Sequence, residues 1–424
     1  MKRGVFIGLT LALGLHAATI AELFDALKKQ PVTQLDSMQA KFAKLGVRKV
    51  QDGFYPSATL FASYEHYNSP TNLRPVPPTE LGRLTPTHKP YPFAQTIERV
   101  GAKATMPIFV KTLFSLTKKA SAMAKSAKLK KELEFYRNEA LILGSDATWR
   151  YLEALQDAME ARKRSIEKMY EDMKNKVESG RAPGIALDKM SESINRLDIA
   201  MNDVAIKKVQ VKSRIESVTG IRLDAPVPFV QKKRIESNEI FALKPLEYAV
   251  KAKEKGVQAA YDALYPKLSL SVMWSENYSS RDVFVGDDVH RSYGNYTLGL
   301  SMPIFKKSDY TAIEMAKVDM MKEKLRLAKT KQALKAQAKA LSESLSLYEK
   351  SISLAQKNVE NRKNLLEYAK VALQAGRFTE EEYLRYEEGL LDAQSRVHEA
   401  RMKWWQTMAQ LAVIYGNDLK TIVE

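Results

Sequence analysis

The most constraining feature of this chain is that short phrases of its first half recur, in the same order, in its second half. The run Met106–Phe109 reads Met-Pro-Ile-Phe and returns as Met302–Phe305, at an offset of 196 residues. Upstream, Tyr55-Pro56 returns as Tyr265-Pro266 at an offset of 210, so the first copy holds 14 more residues between its landmarks. The offset of 196 also relates Gly180-Arg181 to Gly376-Arg377, and Gly220 to Gly416. A tandem duplication of this kind predicts two copies of one structural unit, related by pseudo-symmetry.

The first 18 residues have the order of features that marks a secretory signal peptide. Charged Lys2 and Arg3 precede an apolar stretch from Gly4 to Leu15, which small residues at Ala17 and Ala18 follow. No later segment holds about 18 consecutive apolar residues, the length of a transmembrane helix. We therefore predict an exported protein that would use strands if it crosses a membrane.

Composition narrows the range of functions. The chain has no cysteine, which excludes disulfide bonds, thiolate metal sites and cysteine nucleophiles. Its net charge of +17 comes from basic residues interleaved with acidic ones, as on solvated helix faces, and in an exported chain we predict no nucleic-acid partner. Histidines at metal-ligand spacing and phosphate-binding glycine loops do not occur. We expect no enzymatic activity, no cofactor and no metal site.

Each half predicts the same series of elements. An amphipathic helix at about 33–52, and again at about 238–263, precedes two strand-like runs, a very long helix, a glycine turn and a shorter helix. The first long helix, from about Thr112 to Glu178, would extend roughly 100 Å at 1.5 Å per residue. We predict three segments: a signal peptide at 1–18, a first repeat at 19–225 and a second repeat at 226–424.

The strand-like runs alternate apolar and small polar residues with period two. The second-half runs show this clearly, around Leu268–Ser275 and Asn295–Met302, whereas the first-half runs at about 57–67 and 96–106 alternate less cleanly. Each run is about ten residues long, which a tilted strand needs to cross a bilayer. A soluble sandwich would alternate in the same way. Loops at about 68–92 and 279–292 separate the strands of each pair.

The long helices carry an apolar seam with a seven-residue period. Between Leu327 and Leu373, twelve of fourteen seam positions are apolar, and Lys331 and Arg362 are the exceptions. The matching positions of the first copy, from Lys131 to Val177, are apolar at nine of fourteen. A strict seven-residue period predicts left-handed coiled-coil packing.

Two strands in each repeat make four in the chain, too few to close a sheet on itself in lipid. Open edges would leave unpaired backbone groups there, at a cost of several kcal/mol for each group. The sheet would therefore close with further copies of the chain. Bacterial barrels contain eight or more strands, in even numbers, so a dimer of eight strands and a trimer of twelve both satisfy the geometry.

The signal, the two Tyr-Pro strand starts, the Met-Pro-Ile-Phe strand exits, the glycine-turn hairpins and the duplication together resemble the TolC-like outer-membrane factors, or outer membrane efflux proteins. The resemblance covers about residues 20–420. It implies a mainly α protein with membrane β structure, in which a trimeric β-barrel continues into a coiled-coil α-helical barrel. It further implies an outer-membrane location in a Gram-negative bacterium, with the helices in the periplasm.

The resemblance implies a passive exit duct of a tripartite efflux or type I secretion system. Its partners would be two further copies of the chain, outer-membrane lipid, a periplasmic adaptor (membrane fusion) protein and, through the adaptor, an inner-membrane transporter. In the family, the turns at the helical tips dock the adaptor and close the tunnel. The corresponding residues here are Gly180, Arg181, Ala182 and Pro183 in the first turn, and Gly376, Arg377, Phe378 and Thr379 in the second.

The family often places an acidic residue about six positions after the tip glycine. Glu382 has this spacing in the second turn, whereas Asp188 follows Gly180 by eight positions in the first. Both are candidate gating residues. For Arg181 and Arg377 an alternative to docking is simple capping of a helix C-terminus, where cations are favourable. For the whole chain the alternative is a soluble periplasmic coiled-coil adaptor or scaffold, which would share the export signal and the hairpins but not the membrane-length strands.

Overall fold

The structure, a computed structural model, describes residues 19–66, 96–237, 239–280 and 289–424. The predicted signal peptide and most of both interstrand loops lie outside these residues. The chain divides into two compact units. Unit one contains residues 19–40, Ala127–Pro245 and Arg326–Glu424, and unit two contains Lys41–Ser126 and Leu246–Leu325. Each unit therefore draws on both halves of the sequence, and the repeat boundary near residue 225 stays a prediction.

The predicted series of elements occurs in both halves. The first half forms α1 (Ile20–Lys29), α2 (Pro31–Gln51), β1 (Ser57–His66), β2 (Thr96–Val110), α3 (Lys111–Glu178) and α4 (Ile185–Thr219). The second half forms α5 (Lys244–Asp262), β3 (Lys267–Ser280), β4 (Val289–Ser301), α6 (Lys307–Gln374), α7 (Glu380–Tyr415) and the short α8 (Leu419–Ile422).

Three details differ from the sequence expectation. Helix α1 was not expected, although Thr19 and Glu22 form a capping box that begins it. Helix α5 begins at Lys244, after a single 3₁₀ turn at Phe241–Leu243, rather than at about 238. Strand β3 continues to Ser280, so the second interstrand loop is shorter than expected.

The two long helices are uninterrupted because their sequences contain no proline. A proline inside α3 or α6 would remove a backbone hydrogen bond and clash with the preceding turn. Their apolar seams pack as predicted. Every seam position of α6 except Lys331 is buried or half-buried, as are all the apolar seam positions of α3. The side chain of Arg362, the other polar seam residue, lies against Gly389 of α7, where a β-carbon would come within 2.9 Å of Nη1.

The core of unit one surrounds Trp149 of α3, which is fully buried. Phe24 and Leu27 of α1 and Met408 of α7 belong to the same cluster. Complete burial of side chains this large stabilises a fold by about 1.5–3 kcal/mol each. The unexpected α1 is therefore held by its apolar face. None of the described helices has an apolar stretch long enough to cross a membrane.

Unit two contains a four-stranded antiparallel sheet in the order β1-β2-β3-β4. One row of directly paired residues runs from Leu60 through Ala102 and Trp274 to Gly294. The register shifts between Pro107 and Phe109, where β2 pairs with β3. β2 thus includes the first Met-Pro-Ile-Phe run, whereas β4 ends at Ser301, before the second.

Candidate functional site

The second hairpin turn joins α6 to α7 and is closed by its backbone. Gly376 has a φ of 67°, in the left-handed region that glycine adopts without strain. Its N–H donates to the carbonyl of Leu373 (3.0 Å), and the N–H of Arg377 donates to the carbonyl of Ala372 (2.8 Å). This Schellman pattern satisfies the last carbonyls of α6 and reverses the chain.

Side chains then fix the start of α7. The N–H of Thr379 donates to Oε2 of Glu382 (2.8 Å), and the N–H of Glu382 donates to Oγ1 of Thr379 (3.2 Å), which is a complete capping box. The ring of Phe378 stacks on Tyr386 with centroids 5.8 Å apart and meets the edge of Tyr368 at 6.0 Å. Glu382 therefore has a structural role that its Thr-x-x-Glu spacing could have revealed.

The first hairpin turn has the same backbone and different side chains. Gly180, with a φ of 71°, donates to Val177 (2.9 Å), and Arg181 N–H donates to the carbonyl of Lys176 (2.7 Å). Helix α4 begins after Gly184, which supplies no side-chain cap. Ala182 is half-buried and Pro183 is exposed, and Asp188 is exposed in the first turn of α4. A carboxylate there is favoured by the helix dipole.

The side chains of Arg181 and Arg377 project from these turns without a partner in the described chain. Both are exposed, and neither guanidinium forms a hydrogen bond or an ion pair with another described residue. In both turns the backbone N–H of the arginine completes the cap, so the turn does not depend on the side chain. Docking by these arginines stays a prediction, and their charge is available for it.

Two ion pairs near the hairpin ends connect the two halves and were not predicted. Arg162 and Arg164 of α3 lie 3.6 Å and 3.8 Å from the carboxylates of Glu388 and Glu387 of α7. Exposed pairs of this kind contribute about 0–1 kcal/mol. More than 200 residues separate the partners in sequence, and no local pattern indicates such a pairing.

The sheet of unit two has one apolar face. Directly paired residues of neighbouring strands share a face, so the register assigns every residue. Tyr64 is paired with Glu98, Val272 with Tyr296, and Leu270 with Leu298. Tyr296 is 83% exposed and Leu300 is 72% exposed. The apolar residues of this face include Leu60, Ala62, Tyr64, Val100, Ala102, Ala104, Met106, Leu268, Leu270, Val272, Trp274, Tyr278, Tyr296, Leu298 and Leu300. Towards the loops the same face also holds Glu98, Glu276, His290 and Ser292.

The opposite face of the sheet is mainly polar, with Phe61 and Tyr293 among the exceptions. Lys103 is paired with Thr59 and Met273, and Asn295 and Thr297 follow along β4. An ion pair joins Arg99 to Glu65 at 2.8 Å. The apolar face would suit lipid and the polar face would suit water, as in a membrane strand.

Buried carboxylates in unit one were also missed by the sequence analysis. Oε2 of Glu139 accepts the N–H of Leu419 (3.1 Å), and burial, with a contribution from Asp418, raises the pKa of Glu139 to about 9. Burial likewise raises the pKa of Asp146 to about 6, although this carboxylate accepts the N–H of Val227 (2.8 Å). These groups hold chain segments together inside the core.

Comparison with known proteins agrees with this geometry. Residues 238–417 match the family described as outer membrane efflux protein. No curated protein sequence matches the chain. The resemblance to outer membrane efflux proteins that the sequence suggested is therefore confirmed.

Several solved structures share the fold over nearly the whole chain. CusC matches with a TM-score of 0.71 and 13% identity, covering 96% of each chain. The CmeC outer membrane channel of Campylobacter jejuni matches with 0.70 and 14%, covering 94% of this chain and 84% of its own. The MtrE outer membrane channel of Neisseria gonorrhoeae matches with 0.67 and 14%, covering 94% and 89%. At these identities the likeness establishes the fold.

Proposed function

We propose that this chain, which carries an outer membrane efflux protein domain over residues 238–417, is the outer-membrane exit duct of a tripartite efflux or type I secretion system. Three copies would close a twelve-stranded barrel in the outer membrane of a Gram-negative bacterium. Their helical hairpins would form a tunnel in the periplasm. An adaptor protein would dock at the hairpin turns, and an inner-membrane transporter would supply the energy.

The observation that carries this proposal is the sheet of unit two, with its apolar face and its two open edges. A large exposed apolar surface is unstable in water, and an unpaired strand edge is unstable in lipid. Closure with further copies in a membrane removes both problems. Eight and twelve strands satisfy the geometry equally, and the resemblance to the family supports the trimer.

Fractionation of expressing cells tests the location. We expect the chain to remain with the outer membrane through high-salt and carbonate washes, because its apolar face is buried in lipid. Recovery as a folded monomer in the soluble periplasm would overturn the proposal and favour an adaptor or scaffold.

Charge reversal at the second turn tests adaptor docking. In Arg377→Glu the backbone cap is unchanged, so we expect trimers at the wild-type level and about tenfold less crosslinking to the adaptor, in line with the loss of one close charge pair. Lys335→Glu, at an exposed position well inside α6, is the matched control and should crosslink normally. If Arg377→Glu crosslinks to the adaptor at the wild-type level, Arg377 does not contribute to adaptor docking.

A further inference from the structure

The helices and strands of unit two meet at a buried polar cluster that joins the two repeats. Asp262, at the end of α5, is 2% exposed. Its Oδ2 accepts a hydrogen bond from Oγ of Ser115 (2.5 Å), and its Oδ1 lies 3.6 Å from Nζ of Lys111 at the start of α3. The same ammonium group lies 3.2 Å from the ring centroid of Tyr265. We call these four residues the junction cluster.

Every member of the junction cluster has a counterpart in the other repeat. The offset of 196 carries Lys111 and Ser115 to Lys307 and Thr311, and the offset of 210 carries Asp262 and Tyr265 to Asp52 and Tyr55. Both pairs of counterparts keep the chemistry: a lysine with a hydroxyl four residues later, and an aspartate with a tyrosine three residues later.

These counterparts cannot meet within one chain. Asp52 and Tyr55 precede β1, and Lys307 follows β4, at opposite edges of the sheet. All three are exposed, Tyr55 at 69%. Within the described chain, the side chains of Asp52 and Lys307 form no ion pair. The chain therefore carries both halves of a second junction cluster, Asp52 with Tyr55 and Lys307 with Thr311, but they are not in contact with each other.

We propose that a neighbouring copy supplies the missing partners: Asp52 and Tyr55 of one chain contact Lys307 and Thr311 of the next chain, so that β1 of the first chain pairs with β4 of that next chain. This inference rests on the proposed function and specifies its interface. A head-to-tail contact of this kind uses two different surfaces and generates a closed ring when the rotation closes.

The repeat offsets also give the register of the new strand pair. Transposing the observed β2–β3 pairing places Gly299 opposite Ser63, Leu300 opposite Ala62 and Met302 opposite Leu60. Leu300, Ala62 and Leu60 belong to the apolar face, and Met302 would join them if β4 continues by one residue. A shift by one residue would place every apolar side chain on the polar face.

The Met-Pro-Ile-Phe runs provide independent support. In the first repeat this run is strand and pairs with β3. In the second repeat the same four residues are not strand, and Ile304 and Phe305 are 91% and 83% exposed. The difference is explained if the second run becomes strand only beside the β1 of another copy.

Helix α2 and the start of α6 also expose positions whose counterparts are covered in the observed contact between α3 and α5. In the observed interface Lys119 of α3 lies 3.7 Å from the position of a β-carbon on Gly256 of α5. The counterparts are Met315 of α6, which is 67% exposed, and Gly46 of α2, which has no neighbour within 4 Å. Phe42 of α2, 80% exposed, likewise corresponds to Ala252, which is 3% exposed. A neighbouring copy would cover these exposed apolar positions.

Cysteine crosslinking in membranes tests the register, because the chain contains no native cysteine. The double variant Gly299→Cys with Ser63→Cys should give a ladder of covalent oligomers under mild oxidation. Gly299→Cys with Thr59→Cys, displaced by four residues or roughly 13 Å, should give none. Lys103→Cys with Met273→Cys, the observed pair, should crosslink within one chain and leave it monomeric in denaturant.

Charge exchange tests the junction. Asp52→Lys and Lys307→Asp should each lower the fraction of oligomer that survives heating in detergent, by about tenfold. The double exchange should restore it, and Lys322→Asp, an exposed control in α6, should have no effect. Failure of the double exchange to restore the oligomer would overturn the second junction cluster.

The outcomes separate the two proposals. A ladder from the displaced pair, with oligomers intact, would overturn the register and leave the exit duct standing. Absence of any membrane-bound oligomer in the wild-type chain would overturn both.

Discussion

At the scale of single residues, Glu139 has the clearest consequence for stability. It is 1% exposed, and burial raises its pKa from 4.5 to about 9. The folded chain therefore keeps a proton that the unfolded chain releases. The contribution of this group to the free energy of unfolding is complete below about pH 4.5 and is lost as the pH rises towards 9.

Glu139→Gln should remove this dependence, because glutamine resembles the protonated carboxyl and stays neutral. We expect the variant to unfold at a higher temperature than wild type at pH 7, with a gain of up to about 3 kcal/mol, and at the same temperature below pH 4.5. Thermal unfolding in detergent across this range measures the difference. Glu343→Gln, at an exposed site, is the control, and an equal gain for Glu139→Gln at both ends of the range would contradict the assignment.

At the scale of elements, the sequence predicted those helix faces, turns and strands that depend mainly on residues close together in the chain. The seven-residue seam from Leu327 to Leu373 identified the buried face of α6, because helix periodicity alone decides which side chains share a face. The glycines at 180 and 376 marked both turns correctly. The period of two marked both strands of the second repeat.

Elements and contacts that depend on distant partners escaped prediction. Helix α1 is stabilised by a core that includes Met408, almost 400 residues away, and the burial of Glu139 depends on the backbone of Leu419. At the candidate site, the turn residues were predictable from the repeat, whereas the ion pair between Arg162 and Glu388 was not. Tertiary placement, which no short window contains, decides such contacts.

Replacing glycine by alanine should have opposite effects on stability in a hairpin turn and in the interior of a helix. Gly376→Ala keeps open space around the new methyl group but must hold φ at 67°, at a cost of roughly 1–2 kcal/mol. Gly144→Ala, inside α3, meets only an ordinary contact of 3.5 Å with Gln406 and should stabilise its helix by about 1 kcal/mol.

Native-state hydrogen exchange checks both changes where they occur. The amides of Gly376 and Arg377 should exchange about tenfold faster in Gly376→Ala, in keeping with a cost of about 1.4 kcal/mol for each factor of ten. The amides near residue 144 should exchange more slowly in Gly144→Ala. Slower exchange at the turn of Gly376→Ala would contradict the left-handed conformation.

At the scale of the whole molecule, the two faces of the sheet differ in polarity. On the proposed function the apolar face would contact lipid and the more polar face would contact water, and the pairing register extends that assignment across all four strands. The same substitution at two adjacent positions of a strand should therefore affect assembly differently.

Tyr296 and Asn295 are neighbours in β4 that lie on opposite faces, opposite Val272 and Met273. An arginine facing lipid at the bilayer midplane costs about 2–4 kcal/mol, whereas one facing a water-filled lumen costs little. We expect Tyr296→Arg to reduce the oligomer recovered in outer membranes and Asn295→Arg to leave it near the wild-type level. Gel analysis of washed membranes without heating measures both. Equal recovery of the two variants would mean that the apolar face does not contact lipid, and a larger loss for Asn295→Arg would mean that the faces are reversed.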